Sequence, residues 1–169
     1  MAEEIINRVA NSKLITLDLE DFYPEGNRVV IDIKDWLFQE IILKEKDFRA
    51  FVNEHNWSQY QDNYVALICS SEAIIPSWAY LLLATKLSPF VKKVIVGNLE
   101  LLESVIFEEI ITSISVDEYK NKPVIIKGCS NKPIPASAYT LLIQKIQPIA
   151  RTIMFGEACS TVPLYKAAK

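Results

Sequence analysis

The chain has 169 residues, a net charge of −3 and a composition that is 50% hydrophobic. This length is enough to bury one sizeable core, and a single domain spanning residues 1–169 is the simplest expectation. The acidic balance and the scattered Lys and Arg residues give no electrostatic basis for binding nucleic acid or an anionic membrane. Four glycines are too few for glycine-rich phosphate loops, and neither GxGxxG nor a P-loop occurs.

The N-terminal part, residues 1–62, opens with two segments of alternating apolar and polar residues. Residues 14–19 (LITLDL) and 28–33 (RVVIDI) have the period of half-buried strands, and residues 23–27 (YPEGN) between them have strong turn chemistry. We therefore expect an antiparallel N-terminal strand pair. The acidic run Asp18, Glu20 and Asp21 is typical of an exposed strand face.

A helix is predicted next, over residues 44–55, because Phe48, Phe51 and Val52 share one helical face. His55, the only histidine of the chain, lies at its C-terminal end. A residue at this place is more often a C-terminal cap than a metal ligand or a base.

The second half contains an internal repeat. Residues 64–97 return as residues 124–156, and from Pro76 against Pro135 the two copies align without a gap. Skipping one residue upstream also aligns Cys69-Ser70 with Cys129-Ser130. Each copy reads as strand, helix, strand, over residues 63–97 and 123–156, and residues 157–169 form a C-terminal tail.

These elements predict the fold class. Alternating strands and helices favour right-handed crossovers and a mainly parallel sheet, and an apolar helix over residues 99–114 joins the two copies. We predict an α/β fold whose mainly parallel sheet is built from two repeated strand-helix-strand units, with the antiparallel strand pair added at the N-terminus.

All three cysteines precede a serine, and the predicted topology brings them to one edge of the sheet. Cys69 and Cys129 each end a predicted strand and precede the loop that leads into a helix, and Cys159 comes just after the strand that ends at Gly156. The carboxyl edge of a parallel sheet is where open α/β folds bind ligands. Three thiolates select zinc or an iron-sulfur cluster and leave one coordination position open. We predict a metal site with these three cysteines as ligands.

Other side chains are candidates for supporting that site. The hydroxyls of Ser70, Ser130 and Ser160 are positioned to hydrogen-bond to the sulfurs, and Glu72 and Glu157 are further oxygen ligands or bases. The alternatives are structural cysteines that fill space at strand ends, and redox or nucleophilic thiols. No Cys-x-x-Cys pair occurs, and a duplicated packing unit also explains the first two Cys-Ser pairs.

Three blocks of the chain carry a family resemblance: EEIINRVANSKLITLDLEDFYPEGNRVVIDIKDWLF, WSQYQDNYVALICSSEAIIPSWAY and TIMFGEACSTVPLYK. Together they resemble the bacterial proteins grouped as domain of unknown function 2480, and the resemblance covers nearly the whole chain. It implies a link to the sulfur-mobilisation machinery of iron-sulfur cluster assembly. It supplies no catalytic residues.

A second likeness points to another class of function. An apolar strand, a Ser-containing loop and a helix, as in VALICSSEAIIPSWAYLLLATKL, look like the anti-sigma-factor-antagonist (STAS) type of domain. This resemblance implies a non-enzymatic, protein-binding regulatory module in which the cysteines are structural. A protein partner is expected on this interpretation, whereas the open coordination position of a metal site takes a substrate, water or a partner.

Location and assembly follow from composition. The N-terminus MAEEIINRVANSK lacks the basic and then apolar pattern of a signal peptide, and no apolar run reaches the roughly twenty residues that span a bilayer. We expect a cytoplasmic protein without membrane contact. The aromatic N-terminal region with Phe22, Tyr23, Trp36 and Phe38 favours a homodimer.

Overall fold

The computed structural model describes residues 14–157 and 160–168. Over these residues the chain is mixed α/β, with four helices and two sheets whose strands are mostly parallel. The elements in chain order are β1 (Ile15–Leu17), β2 (Arg28–Asp32), α1 (Glu45–Glu54), β3 (Tyr64–Ile68), α2 (Ser77–Leu87), β4 (Lys93–Val96), α3 (Leu99–Ser113), β5 (Pro123–Ile126), α4 (Ala136–Ile146), β6 (Thr152–Glu157) and β7 (Ser160–Lys166).

The chain divides into two compact units, and the division falls within α3. Unit 2 is the continuous segment Pro24–Ile106, and unit 1 holds the described residues before and after it, up to Tyr23 and from Phe107 onward. Unit 2 is therefore an insertion, in sequence, between the first strand of unit 1 and the rest of that unit.

Each unit has its own sheet and its own core. The sheet of unit 2 has the order β2-β3-β4, all parallel, and the sheet of unit 1 has the order β1-β5-β6-β7, in which only β7 is antiparallel to its neighbour. The central strands β3 and β5 are continuous apolar runs, because helices and loops bury them on both faces. The core of unit 2 includes Ile31, Phe48, Leu67 and Leu83, and that of unit 1 includes Leu17, Phe107, Ile126 and Leu142.

Proline residues lie at the ends of the helices that follow β3 and β5. Pro76 and Pro135 are the N-cap residues of α2 and α4, where a missing N–H costs no helical hydrogen bond. The α2 helix ends at Leu87, two residues before Pro89. Ser88 still has helical backbone, but Pro89 has no N–H with which to continue the helical hydrogen bonds.

The prediction of an antiparallel N-terminal strand pair is wrong. β1 pairs in parallel with β5 in unit 1, and β2 pairs in parallel with β3 in unit 2, so the two strands belong to different sheets. Alternating side chains show that a strand is half-buried but not which strand is its partner. The turn at residues 23–27 lies where the chain leaves unit 1 and enters unit 2.

The two units are copies of one topology, and the strand registers define the correspondence. Tyr64 pairs with Lys93 in unit 2, and Pro123 pairs with Thr152 in unit 1. Both members of the second pair lie 59 positions after their counterparts, from 64 to 123 and from 93 to 152. The same offset makes α1 equivalent to the second part of α3. Phe48 then corresponds to Phe107, and both side chains are fully buried.

Backbone conformation repeats at the same offset. Asp62 and Asn121 both have positive φ, at 60° and 58°, and so do Gly97 and Gly156, at 145° and 122°. The turns at these places therefore recur in the two units together with the strands and helices.

The first strands correspond as well. Leu17 pairs with Ile126, and Ile31 pairs with Leu67, so residues 17–22 (LDLEDF) are equivalent to residues 31–36 (IDIKDW). Each copy is thus strand, helix, strand, helix, strand, which is longer than the strand-helix-strand repeat expected from the sequence. The predicted C-terminal tail, residues 157–169, contains β7, a further strand on the edge of the unit 1 sheet.

Candidate binding loops

The loops that follow β2 and β3 lie at the carboxyl edge of the unit 2 sheet, and Asp32 joins them. Its Oδ1 accepts hydrogen bonds from the backbone N–H groups of Lys34 (3.0 Å) and Ser70 (3.1 Å). Ser71 Oγ accepts from Ala73 N–H at 3.4 Å, which closes a short turn before α2. The first residues of both loops are therefore held in place by their own hydrogen bonds.

The charge of Asp32 is stabilised by these contacts. Desolvation acts to raise the pKa of Asp32, but hydrogen bonds from the Ser70 hydroxyl and from the N–H groups of Lys34 and Ser70, with the charge of Lys34, lower it below 3.8. Because it is ionised at neutral pH, this carboxylate can accept hydrogen bonds from backbone N–H groups of both loops.

Cys69 follows β3 directly, as predicted, and is half-buried at this edge. Its Sγ lies 3.3 Å from Ser71 Oγ, a partner other than the predicted Ser70. Tyr80 on α2 is close enough to be affected: burial raises the pKa of Tyr80 first, and the nearby Cys69 and Asp32 raise it further. Asp32, Cys69 and Tyr80 thus form one cluster at the carboxyl edge of unit 2.

The equivalent edge of unit 1 is held by an ion pair. Asp18 Oδ1 accepts from Glu20 N–H at 2.9 Å, as its counterpart Asp32 does from Lys34, but Oδ2 of Asp18 pairs with Lys127 Nζ at 2.7 Å. The hydrogen bond and charge of Asp18 raise the pKa of Lys127. Glu20 carboxylate accepts from Asn131 N–H at 3.1 Å, which attaches the loop before α4 to the loop after β1.

The sequence pattern indicated that Asp18, Glu20 and Asp21 lie on an exposed strand face. The structure places them instead at and within a 3-10 turn. Asp18 caps a 3-10 turn over Leu19–Phe22, and Asp18 and Glu20 hold loops. Sequence reasoning missed this role. The signal was present in the shared pattern of LDLEDF and IDIKDW, in which an aspartate follows the strand in each copy.

The structural correspondence changes the cysteine alignment. At the offset of 59 residues set by the strand registers, Cys69 is level with Gly128 and Ser70 is level with Cys129, so no residue has to be skipped. Ser71 is equivalent to Ser130, whose Oγ accepts from Lys132 N–H at 3.0 Å in the same kind of turn. Cys69 and Cys129 are therefore not copies of one position.

The predicted metal ligands are distributed over both units. Cys69 belongs to unit 2, and Cys129, which is exposed, belongs to unit 1. Cys159 lies outside the described residues, and Ser160 is the exposed first residue of β7. Within residues 14–157 and 160–168, no three His, Cys, Asp or Glu side chains are grouped so that they could hold a metal ion. The three-cysteine site stays a prediction.

His55 is the C-cap residue of α1, which agrees with the interpretation of this histidine as a cap. Its Nε2 lies 2.9 Å from Tyr60 Oη, and its ring is 4.5 Å from the ring of Trp57 and 5.2 Å from that of Trp36. Burial lowers the pKa of His55. The histidine is part of an aromatic cluster in unit 2.

The carboxyl-edge loops of unit 2 also expose large apolar side chains. Phe38, Ile41 and Ile42, after β2, are 45%, 60% and 51% exposed, and Ile74, after β3, is 93% exposed. We call these four residues the apolar edge. The equivalent loop of unit 1 presents Cys129, Asn131, Lys132 and Pro133 instead.

Comparison with known proteins agrees with the family resemblance. The model of a family described as protein of unknown function (DUF2480) matches residues 3–167. The chain belongs to the DUF2480 family. Searches of curated proteins and of solved structures returned no match to this DUF2480 protein. Along the part of the chain that the structure describes, no helix has the length and apolarity needed to cross a bilayer.

Proposed function

We propose that this DUF2480 protein is a non-enzymatic protein-interaction module that binds its partner through the carboxyl-edge loops of unit 2. The observation that carries the proposal is the apolar edge. Ile74 is almost fully exposed in a loop whose start is held by Asp32 and Ser71, and Phe38, Ile41 and Ile42 add to the apolar surface at the same edge of the sheet.

The energetics favour binding at such a surface. Burying one large aliphatic side chain on association is worth about 1.5–3 kcal/mol, which is roughly a ten- to hundredfold gain in affinity. The loops begin at hydrogen-bonded aspartate contacts, so less conformational entropy is lost on binding than for free segments. Large apolar side chains gathered at one edge of a sheet, here by the pairing of β2 with β3, are also more typical of interaction sites than single apolar residues scattered over a surface.

A comparison of interaction partners tests this function. The tagged chain is isolated from its own cells in four forms: wild type, Ile74→Ser, Ile42→Ser and a matched control, Leu164→Ser, whose residue is 52% exposed on β7 of unit 1. We expect quantitative mass spectrometry to identify a protein that is enriched with wild type and with the control and reduced at least tenfold with the two edge variants.

The partner is then purified and titrated against the same four forms. Equal affinity for all four would contradict the proposal, and so would a partner whose binding is abolished when Cys69, Cys129 and Cys159 are all replaced by serine. That second result would mean that the partner binds at the cysteine thiols and not at the apolar edge.

The three-cysteine metal or iron-sulfur site is a second candidate function. It is favoured by the position of Cys69 and Cys129 on the carboxyl side of the parallel strands β3 and β5. Thiolate ligands would hold zinc or a cluster with one open position, and the family resemblance adds the link to cluster assembly. Ser71 Oγ, 3.3 Å from Cys69 Sγ, would donate to that sulfur, and Ser70, Ser130 and Ser160 stay predicted donors.

Anaerobic purification followed by metal and sulfide analysis tests this candidate. Stoichiometric iron or zinc that falls when Cys159 is replaced by serine would support it, whereas substoichiometric metal in the wild type would contradict it. Cell fractionation and light scattering test the cytoplasmic location and the homodimer, which stay predictions.

A further inference from the structure

A groove in unit 2 lies between the segment after β2 and the α1 helix. Its volume is about 440 Å³, which is in the range of sites that accept side chains or small ligands. Trp36 and Phe38 line one side, and Phe51, which is 46% exposed, lines the other. The groove therefore has apolar walls that are open to solvent.

Among the described residues that line the groove, the charged ones are all acidic. Asp35, Asp47 and Glu54 contribute carboxylates, and this described lining has no Lys, Arg or His. A site of this composition attracts cations and repels phosphate-bearing surfaces such as nucleic acid or an anionic membrane.

Three nearby basic side chains have partners of their own. Lys34 pairs with Glu40 at 3.2 Å, and Arg49 pairs with Glu45 at 2.8 Å. Lys44 lies over the ring of Phe38, with its Nζ 3.1 Å from the ring centroid. This last contact shows that the Phe38 ring already accepts a cation on one face.

The loop beside the groove is held in an unusual conformation. Gln39 and Glu40 both have left-handed backbone, with φ of 51° and 61°, and neither is glycine. Such residues cost about 1 kcal/mol each and persist where surrounding contacts impose them. Here Phe38 and Ile42 exchange backbone hydrogen bonds of 2.8 and 3.0 Å across the turn, which fixes the position of Phe38 at the groove.

We propose that this groove binds a basic amphipathic helical segment of a partner protein. Large apolar side chains of the segment enter between Trp36, Phe38 and Phe51, and its Lys or Arg residues pair with Asp35, Asp47 and Glu54. An amphipathic helix in an apolar groove is a recurrent recognition mode, in which anchors at i, i+3 or i+4 give affinity and flanking charges give specificity. The inference rests on the proposed interaction function and names the chemistry of the partner.

The test uses the full chain and a synthetic helical peptide with leucines on one face and lysines on the other. A scrambled peptide of the same composition and a peptide with glutamate in place of lysine are the controls. We expect calorimetry to show binding of the first peptide at least tenfold tighter than that of either control. Backbone amide shifts in NMR spectra should change within residues 35–54.

Matched variants show whether peptide binding depends on the groove or only on the negative charge of the protein as a whole. Asp47→Asn combined with Glu54→Gln should weaken peptide binding at least tenfold and reduce its salt dependence, and Phe51→Ser should weaken it by a similar factor. Glu108→Gln combined with Asp117→Asn removes the same charge from exposed residues of unit 1 and should change the affinity less than twofold.

Equal loss with both charge pairs would overturn the groove proposal, and so would a wild type that binds the scrambled peptide equally well. The broader function is tested separately. If the cellular partner is lost with Ile74→Ser but retained with the Asp47 and Glu54 variant, the interaction function stands and the groove is not its site. If the partner is insensitive to both, the interaction function itself fails.

Discussion

The two units share a scaffold and differ at the edge where ligands of parallel sheets bind. Both have the same strand registers, the same buried phenylalanine at positions 48 and 107, and the same serine turn at positions 71 and 130. At the carboxyl edge, unit 2 exposes isoleucines and a phenylalanine, whereas unit 1 has the ion pair between Asp18 and Lys127.

The comparison of the two units shows which parts of the repeat are constrained by folding. Core positions and turns have to satisfy packing and backbone geometry in each copy, so they recur. The loops are anchored at one aspartate each, Asp18 or Asp32, and beyond that point their residues differ. Divergence at loops on a retained scaffold is the usual way in which a binding surface is specialised.

Truncating the buried phenylalanine of each unit tests whether the two cores are equivalent, and it should have a larger effect on stability than the other substitutions. Phe48→Ala and Phe107→Ala each remove a fully buried ring, and each should lower the free energy of unfolding by about 3–5 kcal/mol. Urea denaturation of both variants checks this. A cost below about 1 kcal/mol for either one would show that this unit relaxes around the cavity and that the cores are not equivalent.

A buried ion pair is a feature of unit 2 that its copy does not repeat. Arg28 Nε donates to Glu103 Oε1 at 2.7 Å, and Arg28 also donates to the carbonyl oxygens of Pro24 and Gly26. The residue equivalent to Arg28 in unit 1 is Leu14. The pair connects α3 to the turn before β2.

Glu103→Gln should lower the free energy of unfolding by about 3 kcal/mol, because the guanidinium of Arg28 loses its buried counter-charge. The matched control is Glu45→Gln, which removes the exposed partner of Arg49 and should cost less than about 0.5 kcal/mol. Urea denaturation measures both. Similar costs for the two variants would contradict the assignment of a structural role to the buried pair.

Much of the second half of each copy was predictable from the sequence. In both α2 and α4, a proline precedes the helix, a tyrosine and leucines pack it, and a second proline follows it. These residues recur in the two copies because they have the same role in each helix. Upstream of this part, few identities remain between the two copies. Phe48 with Phe107 and Tyr60 with Tyr119 are the clearest, and most core positions accept any apolar side chain of suitable size.

The sequence identifies β1 and β2 as strands but not their partners, and it does not reveal β7. The pattern of β1 and β2 fits a hairpin and a parallel pair equally well, and the choice was made by contacts with β5 and β3, which are distant in sequence. In β7, Pro163 interrupts the strand pattern; the structure tolerates it because β7 is an edge strand. The apolar edge and the groove depend on exposure, which alternation does not reveal for a loop.

A smaller difference between the units concerns two equivalent lysines. Lys145 Nζ donates to the carbonyl oxygens of Ile111, Thr112 and Ile114 at the end of α3, whereas Lys86 has a single contact of 3.5 Å with Asn53. Lys145→Met should lower the free energy of unfolding by about 1–2 kcal/mol, since the last carbonyl groups of α3 lose a charged donor.

Lys86→Met is the matched control and should change the free energy of unfolding by less than about 0.5 kcal/mol. The same urea denaturation series measures both variants. If the two methionine variants are equally stable, the contacts of Lys145 do not contribute beyond those of an exposed lysine.

The smallest effect is a pH dependence that only unit 2 can have at this position, because the residue equivalent to His55 in unit 1 is Ile114. Burial lowers the pKa of His55 below its usual 6.5, so the unfolded chain takes up the proton more readily than the folded chain. Stability from the neutral ring is therefore complete above pH 6.5 and declines as the pH falls through 6.5 toward the folded pKa.

His55→Gln removes the titration and keeps a hydrogen-bonding group facing Tyr60. Between pH 7.5 and 5, the wild type should lose more stability in urea than this variant, and NMR titration of the His55 ring should give a pKa below 6.5. Asp32 does not interfere, because its pKa lies below 3.8 and its stabilising charge is lost only at lower pH. Equal losses would mean that favourable contact of the protonated ring with Trp36 and Trp57 offsets its desolvation.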